Sequence, residues 1–251
     1  MTILAVAAPT EATGYTLLVA TDGAQVQAAQ RLRYQVFADE LGAQLPATGA
    51  GEDVDRFDAY CDHLIIREER IGSVVGTYRM LPPHRAAEAG GLYADGEFDL
   101  AGMGQLRGRL VETGRSCVHP DHRTGAVINL MWAGIARYMH RHGYRWLAGC
   151  ASVPLDDGGP SAAGVWDLAQ RKHLAPPAWR VRPHRPWPVR AASPAYGPVV
   201  VPPLLKGYLR LGAWICGAPA FDPDFNCADF FVLLSLDRVD KRYLRHFLGA
   251  A

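Results

Sequence analysis

The sequence lacks the features that would place it in several classes of protein. It contains no run of about 18 apolar residues that could cross a membrane, and its N-terminus lacks the basic flank of a secretory signal. Lys and Arg number 26 against 25 Asp and Glu, so the chain as a whole has no excess charge that would attract nucleic acid. These absences predict a cytoplasmic globular protein with no nucleic-acid partner.

The five cysteines follow no spacing that would indicate a disulfide framework or a structural zinc site. Their number is odd, and no two of them stand in a C-x-x-C arrangement. Cys117 has no histidine–acid pair in the surrounding sequence, so we interpret it as a small buried residue and not as a nucleophile. No metal site is predicted.

Apolar patterns predict one mixed α/β domain at residues 15–251, preceded by a flexible tail at residues 1–14. Tyr15–Ala20 is typical of a first strand, and Asp22 is a typical N-cap of a helix that extends to Leu41. A later helix, which ends at Gly143, is predicted from apolar residues at helical spacing, namely Ile128, Met131, Trp132, Ile135 and Met139. A strand on each side of this helix, the second at Arg145–Cys150, implies a right-handed crossover and parallel pairing.

Two features near the start of the domain admit more than one interpretation. Arg33 stands beside the apolar stripe of the first helix, where either its stem is buried over the helix or its charge is directed into a cleft. Glu52, Asp53, Asp55 and Asp58 concentrate negative charge in one loop. We expect this loop to be solvated, and a seat for a cationic substrate is the alternative.

The middle of the chain carries the clearest candidate for chemistry, in a strand that leads through a polar loop to a helix start. Glu112 and Arg115 stand three apart, so in a regular strand their side chains would face opposite sides of the sheet. A β-bulge near Thr113–Ser116, which Gly114 would tolerate, brings them to one side. It would also leave a backbone N–H near Ser116–Val118 to bind a substrate oxygen.

Six stretches carry a resemblance to a known family, namely RLRYQVF (31–37), DRFD (55–58), VGTYRML (75–81), ETGRSCVHPDHR (112–123), PPLLKGYLRLGAWICG (202–217) and DPDFNCADFFVLL (222–234). They resemble the bacterial ornithine N-acyltransferases of the GNAT superfamily, which make ornithine lipids from acyl-carrier-protein thioesters. The resemblance covers residues 16–248. Shorter pieces resemble acyl-homoserine-lactone synthases. The resemblance implies an α/β fold with a mixed, mostly antiparallel central sheet, flanking helices and a splayed fourth strand.

The resemblance also implies site residues. Glu112 is assigned as the base that takes a proton from an attacking amine, and Arg115 as its catalytic companion. An ion pair between the two with a structural role only is the alternative. The acceptor amino acid is assigned to Arg33, Phe37, Asp55, Asp58 and Arg79. In this assignment Arg33 and Arg79 would bind the carboxylate, and the aspartates would bind the distant amine.

The acyl donor is assigned to the end of the strand and the helix start, that is to Cys117, Val118, His122, Arg123, Thr124, Gly125 and Ala126. The pyrophosphate-binding run of the superfamily, Gln/Arg-x-x-Gly-x-Gly/Ala, is imperfect here. With Gly125 as the first glycine, His122 replaces Gln or Arg and Val127 replaces the second small residue. This departure favours the acyl-phosphopantetheine of acyl carrier protein over acyl-CoA as the co-substrate. No tightly bound cofactor is expected.

A proline-stiffened basic segment, WRVRPHRPWPVR (179–190), is assigned to docking of the acidic carrier through Arg180, Arg182 and Arg185. Contact with a membrane surface and a solvated loop are the alternatives for this segment. We therefore expect a cytoplasmic enzyme, either free or membrane-associated, that moves a fatty acyl chain, for example a 3-hydroxyacyl chain, to the amine of ornithine. An acyl-CoA- or acetyl-CoA-dependent N-acyltransferase with another acceptor, and a catalytically silent acyl-binding protein, are the alternatives.

Overall fold

The computed structural model describes residues 14–46, 51–189 and 199–248. The predicted tail, apart from Gly14, and Arg190 of the basic segment lie outside the described residues. The strands are β1 (Tyr15–Val19), β2 (Asp62–Glu68), β3 (Val74–Leu81), β4 (Phe98–Asp99), β5 (Leu110–Val118), β6 (Trp146–Pro154), β7 (Arg182–Pro183), β8 (Trp214–Ile215), β9 (Ala220–Asp222) and β10 (Cys227–Ser235). The α-helices are α1 (Gly23–Tyr34), α2 (Pro83–Glu88), α3 (Gly125–His142), α4 (Pro160–Leu168), α5 (Pro203–Arg210) and α6 (Lys241–Leu248).

The chain divides into two compact units. Unit 1 comprises residues 1–89, 113–144 and 240–251, and unit 2 comprises residues 90–112 and 145–239. Strand β5 contributes its first three residues to unit 2 and the remainder to unit 1. Within the described residues, no helix is both long and apolar enough to cross a lipid bilayer. The prediction of a single domain stays a prediction.

Unit 1 contains an antiparallel meander. β1 pairs with β2 from Tyr15↔Glu68 to Val19↔Leu64. β2 in turn pairs with β3, with a shift of register between Ile66 and Arg67, and β5 is the next neighbour of β3. Helix α1 packs on β2 and β3, while α3 packs on β1, β2, β3 and α6. The strands are thus covered by amphipathic helices.

The N-cap predicted for α1 is confirmed. The Asp22 side chain accepts a hydrogen bond from the Gln25 N–H at 2.9 Å, and the Gln25 side chain accepts one from the Thr21 N–H at 2.8 Å. These bonds satisfy donors that the first turn of a helix leaves without partners. After Tyr34 the helix continues as a π-helical turn, Gln35–Glu40, so the predicted extent is correct although the hydrogen bonding changes.

Helix α3 begins and ends where its sequence indicates. Thr124 is its N-cap, and Gly143 ends it in the left-handed conformation, with φ of 68°, which glycine adopts without a steric penalty. The apolar stripe is buried apart from Ile128, which is 39% exposed. Ile128 lies in the first turn beside the buried Val127 and is the member of the stripe at the edge of the packed face.

Unit 2 confirms the predicted parallel pairing. β5 pairs with β6 in parallel from Leu110↔Trp146 to Glu112↔Ala148. On the other side of β6, β10 is antiparallel from Cys227↔Pro154 to Ser235↔Trp146. β8 and β9 both pair with β10, and β4 and β7 form a separate two-stranded sheet. The described strands therefore form the mixed, mostly antiparallel sheet of an α/β fold.

Candidate active site

A buried network of ion pairs lies in unit 1, and Arg33 is its most buried member. Its guanidinium is fully buried and donates to Asp53 Oδ2 at 2.8 Å and to both carboxylate oxygens of Asp58 at 2.8 Å. It also donates to the carbonyl of Asp53. The interpretation in which only the stem of Arg33 is buried was wrong, because two buried carboxylates satisfy its charge inside the protein.

Arg79 and Arg115 complete this network, which has three arginines and three aspartates. Arg79 NH1 lies 2.6 Å from Asp55 Oδ1 and 3.3 Å from Asp58 Oδ1. Arg115 Nε lies 3.2 Å from Asp53 Oδ2, and its NH2 lies 3.5 Å from Asp55 Oδ2. Side-chain exposure is 0% for Arg33, 5% for Arg79, 14% for Arg115 and 20% for Asp55. Arg115 and Asp55 are therefore the members that a solute can reach.

The acidic loop belongs to this network, so the expectation that it is solvated was wrong. Glu52, Asp53 and Asp58 are all buried. Burial acts to raise the pKa of Asp58, but the hydrogen bonds and charge of Arg33, together with the charge of Arg79, lower it well below its usual range. The carboxylates of this loop therefore form ion pairs with arginine side chains of the protein.

The backbone of β5 departs from a regular strand at the predicted place. Arg115 has φ of 51°, a left-handed conformation that is uncommon for residues other than glycine and that interrupts the alternation of side chains along a strand. We expected Gly114 to be the tolerant residue, but the left-handed residue is the one that follows it. Arg115 is held in this conformation where its side chain contacts Asp53 and Asp55, and such outliers cluster at functional sites.

Glu112 lies on the part of β5 that belongs to unit 2, and it is buried. Its carboxylate accepts hydrogen bonds from the N–H groups of Tyr93 at 2.6 Å and Ala94 at 2.8 Å. Tyr93 and Ala94 begin a 3₁₀ turn, Tyr93–Gly96, whose first N–H groups have no partner within the turn. Nothing in the sequence indicated this contact, which fixes the carboxylate and stabilises its charged form.

The predicted donor loop lies at the start of α3 in unit 1. Thr124 Oγ1 accepts from the Val127 N–H at 3.4 Å, and Gly125 and Ala126 form the exposed first turn. The ring of His122 is hydrogen-bonded through Nδ1 to the Tyr15 hydroxyl at 2.8 Å. The N–H groups at a helix start favour an anion such as phosphate.

Arg123 in the same loop is engaged by a carboxylate. Its guanidinium donates to both oxygens of Glu40 at 2.7 and 2.6 Å and to the carbonyl of Val118 at 3.1 Å. The hydrogen bond from Arg123 lowers the pKa of Glu40. Cys117 is buried, as predicted, and burial raises the pKa of its thiol to about 12.

The remaining predicted residues lie apart from these groups along the chain. Phe37 is buried in the π-helical turn that follows α1. Arg180, Arg182 and Arg185 of unit 2 are all exposed. Arg180 donates to the carbonyl of Ala175 at 3.0 Å, and Arg185 lies over the ring of Phe221 at 4.9 Å. Asp53 was missed as a site residue, although its place in the acidic run was a usable signal.

Comparison with known proteins identifies the family. Residues 32–133 match the acetyltransferase (GNAT) domain. An L-ornithine N(alpha)-acyltransferase of Brucella abortus is 36% identical over 247 residues, covering 91% of this chain and 87% of that protein. Another, of Rhodobacter capsulatus, is 36% identical over 248 residues, covering 91% of this chain and 93% of that protein.

Solved structures agree in fold. FeeM, an N-acyl amino acid synthase from uncultured soil microbes, superposes with a TM-score of 0.55 at 12% identity, covering 91% of this chain and 94% of that one. The CoA-dependent acyl-homoserine lactone synthase BjaI superposes with a TM-score of 0.54 at 16% identity, covering 90% and 82%. The chain is an N-acyltransferase with the GNAT fold, and it belongs to the L-ornithine N(alpha)-acyltransferase family.

Proposed function

We propose that the protein transfers a fatty acyl chain from the thioester of an acyl carrier protein to the α-amine of ornithine. The observation that carries this proposal is the identity of 32–36% over about nine tenths of the chain to proteins named L-ornithine N(alpha)-acyltransferase. The product would be a lysolipid, and its release is consistent with peripheral contact with a membrane surface.

In this proposal Glu112 is the general base. It takes a proton from the acceptor amine, directly or through a water, as the nitrogen attacks the thioester carbonyl. The C–S bond then breaks, the amide forms, and the proton passes to the departing thiol. Glu112 suits this role because two backbone N–H groups hold its carboxylate in one orientation, while each carboxylate oxygen can accept a further bond.

Among the three arginines of the network, we favour Arg115 for the acceptor carboxylate, in place of Arg33 and Arg79. Arg33 is fully buried and Arg79 is 5% exposed at the side chain, whereas Arg115 is 14% exposed. A guanidinium binds a carboxylate through two parallel hydrogen bonds. Asp55 and Asp58 meet arginines of the protein, which favours a role in holding Arg79 and Arg115 over direct contact with the acceptor.

The donor is proposed to bind at the start of α3, through Thr124, Gly125 and Ala126, with an N–H of the strand end near Cys117 and Val118 stabilising the oxyanion. The altered glycine run favours pantetheine presented by a carrier. The exposed Arg180, Arg182 and Arg185 would dock that carrier, because among the described residues no carboxylate pairs with them and an acidic protein complements their charge.

The proposal is tested by incubating the full chain with matched acyl-carrier-protein and acyl-CoA donors and a panel of amino acids, and by identifying the products with mass spectrometry. We expect N-acylornithine from the carrier-linked donor. An equal or faster reaction with acyl-CoA would contradict the carrier assignment, and the absence of any amide product would contradict the function.

Glu112→Gln tests the base. Loss of a general base lowers turnover by roughly 10²- to 10⁴-fold, and it should also remove the low-pH limb of the kcat/KM profile. Glu88→Gln, at an exposed glutamate of α2, is the matched control and should behave as wild type. Turnover that Glu112→Gln leaves unchanged, or a loss that only follows unfolding in a thermal melt, would exclude Glu112 as the base.

A further inference from the structure

A second cluster of titratable groups lies in unit 2 and takes no part in the arginine–aspartate network. Glu97, Cys150 and Asp229 each offer one ligand atom, and these atoms lie within 4.8 Å of one another. The same holds for Asp222, Cys227 and Asp229. Asp229 is 3% exposed, and its Oδ1 accepts a bond from the Cys227 thiol at 3.4 Å. Three carboxyl groups and two thiols thus form one cluster around Asp229.

The Glu97 side chain is half-buried, and each of its carboxylate oxygens exposes less than 1 Å². Among the residues that the structure describes, neither oxygen has a hydrogen bond of good geometry, and the side chains that interact with it outside that geometry are those of Asp229, Tyr93 and Cys150. Nor does any Lys, Arg or His in residues 14–46, 51–189 and 199–248 form an ion pair with Glu97, Asp222 or Asp229. A buried polar group without a partner is rare in native proteins, and one explanation for it is a ligand.

The environment of this cluster disfavours uncompensated negative charge. Burial, followed by repulsion from Asp229, raises the pKa of Glu97, and the Tyr93 side chain offsets this only in part. Burial likewise raises the pKa of Asp229. In the absence of a ligand, a proton shared by the two carboxyl groups relieves the repulsion. A cation bound between them would relieve it more fully and would displace that proton.

Strand register places the cluster on the same face of the sheet as Glu112. Glu112 pairs with Ala148 of β6, and Cys150 follows two residues later. Asp229 pairs with Ser152, again two residues further along β6. Because side chains two residues apart share a face and paired residues point the same way, Glu112, Cys150 and Asp229 lie on one face.

The 3₁₀ turn Tyr93–Gly96 connects the two groups directly. Its first N–H groups bind the Glu112 carboxylate, and Glu97 follows its last residue, with the Glu97 N–H donating to the Ala94 carbonyl at 3.1 Å. Burial raises the pKa of the Cys150 thiol, and the charges of Glu97, Asp229 and Glu112 all act on it in the same direction. The proposed base and the unsatisfied carboxylate are therefore neighbours.

We propose that Glu97 and Asp229 bind the side-chain ammonium of the acceptor while Glu112 serves its α-amine. The inference rests on the proposed function and names the residues that select ornithine. Oxygens within 4.8 Å of each other can both accept from one ammonium nitrogen at ordinary distances of about 2.8 Å. The two nitrogens of ornithine are separated by five bonds, or roughly 6 Å when extended. Two residues of β6, the offset from Ala148 to Cys150, span about 7 Å.

The test compares ornithine with norvaline, which has the same carbon chain without the terminal amine. The full-length protein and its Glu97→Gln variant are assayed with one acyl donor, and kcat/KM is measured for each acceptor. Loss of one charge-assisted contact should lower kcat/KM for ornithine roughly 10- to 150-fold and leave that for norvaline unchanged. Asp224→Asn, at an exposed carboxylate of the same unit, is the control and should retain the preference for ornithine.

The possible outcomes distinguish failure of the ammonium site from failure of the proposed acyl transfer. Should Glu97→Gln keep the full preference for ornithine, or wild type prefer neither acceptor, the ammonium site is overturned and acyl transfer stands. If wild type acylates no amino acid, the proposed function fails and the site fails with it. Metal analysis after incubation with Mn²⁺ or Zn²⁺ gives a further check, since stoichiometric metal that Glu97→Gln abolishes would assign the cluster to a metal instead.

A binding measurement guards against a variant that is merely misfolded. Calorimetric titration of ornithine without donor should give heat with wild type and much weaker binding with Glu97→Gln and with Asp229→Asn. The melting temperature of Glu97→Gln should not fall, because glutamine is close in size to a carboxyl group that already shares a proton when no ligand is bound. A lowered melting temperature together with equal losses for both acceptors would overturn the ammonium assignment and give Glu97 a structural role.

Discussion

Replacing Arg33 by Met should destabilise the protein more than the same replacement at an exposed arginine. The guanidinium is fully buried and makes three side-chain hydrogen bonds of 2.8 Å to Asp53 and Asp58. Removal of one partner from a buried ion pair costs about 3–5 kcal/mol, because the remaining charge stays buried. Asp58 keeps Arg79 at 3.3 Å and Asp53 keeps Arg115 at 3.2 Å, so we expect the lower end, about 3 kcal/mol.

Thermal unfolding followed by circular dichroism measures this effect. For a chain of this size, 1 kcal/mol corresponds to roughly 2–4 °C in Tm, so Tm should fall by about 6–12 °C at pH 7. Arg31→Met on the same helix is the matched control. Its side chain is 60% exposed and contacts Glu52, whose side chain is 11% exposed, at 3.3 Å. Because the arginine itself lies mostly in solvent, we expect a loss of about 1 kcal/mol or less.

The loss in Arg33→Met should shrink as the pH is lowered. In wild type the pKa of Asp58 lies below its ordinary value of 3.8, so its stabilisation is full above that value and is lost as the pH falls through the lower folded pKa. In the variant, burial without Arg33 raises the pKa of Asp58, and protonation then removes the cost of the buried charge. The difference in the free energy of unfolding between wild type and Arg33→Met is therefore largest near pH 7. A loss below about 1 kcal/mol, or a gap that widens toward pH 4, would refute the assignment of Arg33 as the centre of the network.

Two further changes test the remaining assignments. Cys117→Ala should retain turnover, because direct transfer needs no acyl-enzyme and burial raises the pKa of this thiol to about 12; loss of turnover in a folded variant would make Cys117 a nucleophile. The double change Arg182→Glu and Arg185→Glu should raise KM for carrier-linked donors, more so at low salt, and leave KM for acyl-CoA unchanged. Equal effects on both donors would remove the segment from carrier docking.

The sequence was a good guide to elements whose pattern is local. Helix α3 follows from its apolar spacing and from Gly143, and β10 from its apolar run. Strand β6 is longer than the predicted Arg145–Cys150, since it extends to Pro154. The additional residues alternate between buried and exposed positions and are held by pairing with β10, a partner that is distant along the chain and leaves no trace in the local pattern.

The candidate site was predictable to the extent that its charges share motifs. Arg33, Asp55, Asp58, Arg79 and Arg115 were singled out, and the structure gathers all of them into one network. What the sequence could not provide is which charges neutralise each other, because that depends on distances between segments far apart in the chain. The loop was expected to be solvated since carboxylates are ordinarily exposed, and three arginines from other elements reverse that expectation.

The second cluster was likewise only partly predictable from the sequence. Asp229 is the one charged residue in an otherwise largely apolar, fully buried strand, and such a residue normally has a partner or a function. Glu97 has no such signal, because it lies in an irregular stretch and is brought to Asp229 by the turn that Glu112 anchors. A buried carboxylate could be suspected from the sequence, but the pair could not.

The formal net charge is +1, but the charged groups are unevenly distributed between the two units. This distribution affects which acceptor the protein would select. In unit 1, three arginines meet three aspartates, so the network is neutral and has no electrostatic reason to attract a second amine. The Glu97–Asp229 pair of unit 2 has no cation among the described residues. A diamino acid supplies the missing positive charge at one end and a nucleophile at the other, whereas a monoamino acid would leave only a shared proton between the two carboxyl groups. Discrimination would thus arise from the ion pairs that the second ammonium forms with Glu97 and Asp229 and that an acceptor without this group cannot form.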